Sequence, residues 1–123
     1  MNEATPGRHL SAADILGATM PAPVPVAVPE WGGTVYVRAM TGYERDAFEL
    51  AMLGPNGQAD KRNFRGRLAA VCMCDVNGHA LFTAADAVAL GAKHAAALSR
   101  VFDVAAELNG FTAADAASLE KKS

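Results

Sequence analysis

Polar and apolar positions follow two different periods along this chain. Over PVPVAV (23–28) and TVYVR (34–38) the period is two, which sets valines on one side of an extended backbone and Pro, Ala, Tyr or Arg on the other. Gly32 and Gly33 lie between these runs and supply a turn, so the pattern predicts one hairpin. Val35 and Val37 share one face of its second strand, Tyr36 and Arg38 the other. Prolines 21, 23, 25 and 29 have no amide for a ladder, which confines Val24–Val28 to an edge strand or an extended segment.

Beyond residue 41 the pattern changes to helical spacing. Thr41 and Glu44 stand three apart, as in a capping box, and predict a helix over 42–53 whose apolar face is Tyr43, Ala47 and Leu50, joined by Phe48 and Ala51. GPNGQAD (54–60) reads as a loop. A helix over 61–73 follows with Phe64, Leu68, Val71 and Cys72 in one stripe, and Lys61, Arg62, Arg65 and Arg67 mostly off it. The chain then turns tightly around Asn77-Gly78, with a tiny hairpin as an option. Thr83-Ala-Ala-Asp86 opens a helix that breaks or bends near Gly91. The segment 93–108 carries Leu98, Val101, Phe102, Ala105 and Leu108 on one side and should stop at Asn109-Gly110, with Gly110 left-handed and Phe111 folding back as an apolar clamp. The tetrapeptide [Ser/Thr]-Ala-Ala-Asp occurs at 11, 83 and 112; helix starts explain it, and the unequal spacings exclude a repeat array. The third copy predicts a short last helix with a fraying charged end. The fold class expected is α+β: a mainly α-helical single domain over 23–123 with one N-terminal β-hairpin and about four helices, after a loose leader, 1–22, that holds one capped turn.

Composition refines this picture. A chain of 123 residues suits one core, but 27 of them are alanine, so the 51% hydrophobic content means helices packed closely through small side chains rather than a large apolar volume. A net charge of −2 gives no general attraction to nucleic acid or anionic lipid. No apolar run reaches the roughly 18 residues of a membrane span, and the start MNEATPGRHL lacks the apolar core of a signal peptide, so no membrane partner and a cytoplasmic location are expected. Cys72 and Cys74 are too close for an ordinary disulfide and fit small buried thiols.

Candidate chemistry is sparse. Capping uses Asp14, Glu44, Asp86 and Asp115, and no spacing marks a catalytic acid pair, so no catalytic residue is assigned. Cys72, Cys74 and His79 form the best set of metal donors, but residues two apart on a helix diverge by about 200° and no fourth ligand is near, so neither metal nor cofactor is expected. Asp75-Val-Asn77-Gly78 is like the start of a calcium loop without its later ligands. Gly32-Gly33 precedes a strand, whereas phosphate loops follow one. KRNFRGR (61–67), with Phe64 among its basic residues, keeps open an alternative, a small nucleic-acid-binding or regulatory helical protein.

The ordered set W-G-G-x-V-x-V-R, T-G-x-E-R-D, R-x-x-A-x-x-x-C, a D-x-x-G turn before Leu-Phe-Thr-x-x-D, L-G-x-K and V-F-x-V-A-x-x-L-N-G resembles the small tail assembly chaperones of long-tailed bacteriophages and their prophages. The likeness spans about residues 23–119. It implies a non-enzymatic protein of the host cytoplasm that binds and solubilises the tape measure protein and assists tail tube assembly, with the major tail tube protein as a further candidate partner. Self-association is a separate option: the edge strand could accept a client strand or a second copy of itself, although its prolines argue for protection from that event. Families of this kind often make a longer form by ribosomal frameshifting near the end of the gene, and Glu120-Lys121-Lys122 could be encoded by an adenine run suited to it, which the gene sequence would decide. A binding family carries over no catalytic set. Trp31 at the turn, with Tyr36 and Arg38 on one strand face, are the candidate partner-binding residues, because Trp, Tyr and Arg are the usual interface anchors. The competing role for Trp31 is cover for the core.

Overall fold

The computed structural model describes residues 8–111. In chain order the elements are α1 Ala12–Leu16, β1 Val24–Val28, a 3-10 turn Pro29–Trp31, β2 Gly33–Val37, α2 Gly42–Ala51, α3 Phe64–Cys72, β3 Met73–Cys74, a second 3-10 turn Ala84–Asp86, α4 Ala87–Gly91 and α5 Ala95–Leu108. This is a mixed α+β arrangement of helices and a three-stranded antiparallel sheet in the order β1-β2-β3. The predicted hairpin is therefore only part of the sheet. Its two strands pair Val24 with Val37, Val26 with Val35 and Val28 with Gly33, and Gly32 closes the turn at φ 77°.

The third strand corrects the expected helix over 61–73. Met73 leaves the helix with φ −70° and ψ 132°, and Met73 and Cys74 pair with Val37 and Tyr36. Asp75 then turns the chain back: its Oδ1 accepts from the amides of Asn77 and His79, and Cys74 bridges Ala80. The tight turn is thus the end of a very small hairpin. The helix also begins later than expected, at Phe64, because Asn63 takes a left-handed φ of 55°. Two capping boxes form as the spacing predicts, at Ser11/Asp14 and Thr41/Glu44. At Thr83 the amide donates to Asp86 Oδ2 at 2.8 Å. The copy at Thr112 and its predicted helix lie outside the described residues.

The core gathers on α3. Phe64, Leu68, Ala69, Ala70 and Cys72 are all buried, so this helix is covered on most sides rather than along the single predicted stripe; Val71 is only partly covered. Phe64 meets Phe48, Phe102 and Phe111 edge-on at centroid distances of 5.7, 5.5 and 5.7 Å. Each such pair adds about 0.5–1.5 kcal/mol beyond the area it buries. Buried Leu98, Val101, Phe102 and Ala105 form the inner face of α5, as their spacing predicts. The helix ends with Gly110 at φ 75°, where the amides of Gly110 and Phe111 reach back to Glu107 and Ala106; Phe111 is the expected clamp. The helices α3 and α4 pack closely. A Cβ on Gly66 or on Gly91 would run into the Asn63 side chain, which is held by the Ala87 carbonyl at 2.8 Å.

Candidate binding surface

The helix α2 determines what this fold offers to a partner. Its apolar stripe, Tyr43, Ala47 and Leu50, does not face the core as expected. Tyr43 is 91% exposed and Leu50 69%, while Phe48 and Met52, on another side of the helix, are buried. Tyr43, Ala47 and Leu50 fall within about 60° on the helix, and Phe48 and Met52 lie about 100–180° from them, so α2 carries two apolar faces. Docking on Phe64 selects the second, since Phe48 completes the aromatic cluster.

Beside the outer stripe, α2 leans away from α3 and α4 and leaves an open groove of about 650 Å³. Ala47, Ala51, Val71, Ala84, Ala87 and Val88 give it a mainly apolar floor and walls; Val88 is 81% exposed. Charged side chains mark its edges. At one, Glu44 accepts two bonds from Arg38 Nη1, at 3.0 and 2.9 Å, and a third from the Thr41 amide. Burial pushes the Glu44 carboxyl up, but the Thr41 amide and the Arg38 guanidinium outweigh it and hold the group below its ordinary value. At the other edge, Arg62 is bidentate on Asp60 at 3.0 Å to each oxygen, and Arg67 approaches the same carboxylate at 3.8 Å. The hydrogen bonds from Arg62 hold Asp60 down to about 2.

The residues singled out in the sequence are not brought together. Trp31, half exposed, lines a separate hollow of about 300 Å³ with Val35, Met73, Leu81, Phe82 and Leu90. Its turn is tied to α5 by Glu30 and Arg100 at 2.9 Å. Tyr36 stands on the strand face opposite Val35 and is half buried. Arg38 is only 18% exposed: besides Glu44 it donates from Nη2 to the Val71 carbonyl at 2.9 Å, joining the end of β2 to the start of α2 and the end of α3. Its geometry is that of a brace. Two positions that line the groove carried no such reading in the sequence: Val88 and Ala84 looked like parts of an ordinary helix start. The signal available for the groove was the excess of apolar positions on α2, two faces' worth on ten residues.

The other candidate chemistries are spread apart. Cys72 and Cys74 are buried, and burial pushes the Cys72 thiol up to about 12 and Cys74 upward, whereas the His79 ring is exposed beside Asp75. Among the described residues no three His, Cys, Asp or Glu side chains converge as a metal site. No helix among them is long and apolar enough to cross a membrane. The fold and groove define a small α+β module with an outward apolar helix face. Comparison with protein-family models, with curated proteins and with solved structures gives no match.

Proposed function

We propose that this chain is a tail assembly chaperone of a long-tailed phage or prophage, a non-enzymatic protein of the host cytoplasm that covers apolar stretches of the tape measure protein and assists tube assembly. One observation carries the reading: α2 turns an apolar stripe outward, and one member of it, Ala47, lines an open apolar groove. A soluble protein gains nothing in its own stability by exposing Tyr43 and Leu50 together, and such patches mark surfaces that a partner covers. The resemblance carried by the ordered motifs of residues 23–119 favours the tape measure protein as that partner. Trp31 offers a second, smaller contact, with the tube subunit or another copy as its occupant. The nucleic-acid alternative is weakened by the net charge of −2 and because the Arg65 guanidinium lies 5.6 Å from the Phe102 ring centre.

The test is co-expression with the product of the neighbouring tape measure gene. A soluble complex that co-purifies is the expected result; a client that stays insoluble with and without this chain refutes the assignment. A salt-dependent shift of DNA or RNA would favour the alternative.

A further inference from the structure

Resting on the client-binding reading above, we propose that the groove between α2, α3 and α4 takes an amphipathic helix of the partner whose apolar stripe ends in an acidic side chain, and that Arg62 receives that acid. Three observations lead there. First, the walls are themselves helices, lined by Ala47, Ala51, Ala84 and Ala87, and such small side chains let another helix approach closely. Second, the lining has little with which to bond a bare backbone, and its one amide, Asn63, already donates to Ala87. An extended segment would leave amides and carbonyls unpaired, whereas a helix satisfies its own.

Third, the charges are unequal. Arg38 and Glu44 balance each other at one end. At the other, Arg62 and Arg67 share the single carboxylate of Asp60, which leaves one positive charge in excess. Arg67 is mostly covered and also donates to the Asp60 carbonyl, while the Arg62 side chain is 85% exposed, so Arg62 is the guanidinium that a partner meets. An acid placed there gains a charge-assisted bond and selects the direction in which the helix lies. A small amphiphile, with its carboxylate on Arg62 and its tail in the groove, satisfies the same charge, and competition separates it from a helix.

The experiment uses the full chain and two fluorescent peptides of about 18 residues, roughly five helical turns. Both carry leucines at i, i+3, i+7 and i+10; one has glutamates flanking the stripe, the other lysines. Anisotropy should show the glutamate peptide binding about tenfold tighter, with the gap narrowing as salt is raised. Arg62→Glu should reverse the order, and Val88→Glu should abolish both; both positions are exposed, so unchanged circular dichroism and melting will verify the fold. Equal affinity for the two peptides, binding by neither, or indifference to Val88→Glu overturns the proposal. So does dodecanoate that binds and displaces the peptide at equal or lower concentration, which would assign the groove to a small amphiphile. The two ideas fail separately: a soluble co-expressed client with no peptide binding removes the helix and leaves the chaperone, and peptide selectivity with an insoluble client does the reverse.

Discussion

Asn109 joins three parts of the molecule. Its Oδ1 accepts from the Met40 amide at 2.6 Å, its Nδ2 donates to the Ala105 carbonyl at 2.8 Å, and its own carbonyl accepts from Arg45 at 2.8 Å. In the sequence the pair Asn109-Gly110 says only that a helix stops, because the bond to Met40 spans 69 positions and no local pattern encodes it. Asn109→Ala leaves the Met40 amide half buried without an acceptor, and should cost about 1–3 kcal/mol in urea unfolding. A loss under about 0.5 kcal/mol, the scale of an ordinary surface substitution, would reduce this side chain to a cap. The carboxylates make a second prediction. Asp60 is held at about 2 against an ordinary 3.8, and Glu44 below its ordinary 4.5. Groups lowered by folding contribute stability that is complete above their unfolded values and is lost as pH falls through the folded ones. The melting temperature should therefore be flat near neutrality and fall from about pH 4.5 toward pH 2. Glu44→Gln should lower it at pH 7 and flatten that acid limb, while an acid limb with unchanged slope would remove Glu44 from the account.

The elements were legible in the sequence wherever a local signal decides them. Capping boxes at Ser11 and Thr41, the Gly32 turn, and the Gly110-Phe111 stop are chemistry within six residues, and they formed as read. What distant neighbours decide was not legible. Periodicity shows the apolar stripe Tyr43-Ala47-Leu50 but cannot say that the face of Phe48 and Met52 will win the core, since that choice belongs to Phe64 and Phe102. A two-residue strand such as β3 has no period at all. The edge strand was read as such, and its register explains the prolines. The Arg38 amide donates to Cys72, so even-numbered residues of β2 bond toward β3 and odd-numbered ones toward β1. Val24, Val26 and Val28 then face β2, and Pro25 and Ala27 face outward. The prolines at 21, 23, 25 and 29 have the outward parity, leaving Ala27 as the one amide on that edge of β1. Blunting a free edge in this way prevents strand addition. Pro25→Thr restores an outward amide without touching the core, and should give concentration-dependent self-association in sedimentation velocity; a variant that stays monomeric at every concentration would show that the prolines guard nothing.

At the scale of the whole molecule, α2 carries two apolar faces, one buried and one exposed. Its inner face completes the Phe48-Phe64-Phe102-Phe111 cluster, and Arg45 lies 4.1 Å over the Phe111 ring, so the helix is pinned from within. Arg38 and Glu44 fix its start. Its outer face is then free to be apolar without endangering the fold, an arrangement that lets a rigid platform present a sticky surface. The two faces should separate under mutation. Tyr43→Ser with Leu50→Ser removes the two large residues of the three-residue stripe and touches nothing buried, so stability should change by no more than about 0.5 kcal/mol, in the range of ordinary surface substitutions. Client solubility in co-expression should nevertheless collapse. Phe102→Ala, outside the groove lining, does the opposite: it opens the aromatic cluster behind α2, costs about 3–5 kcal/mol, and weakens client binding only in proportion to the unfolded fraction. If the double serine variant instead retains the client in full, the outward stripe is not the contact, and the search moves to the hollow beside Trp31.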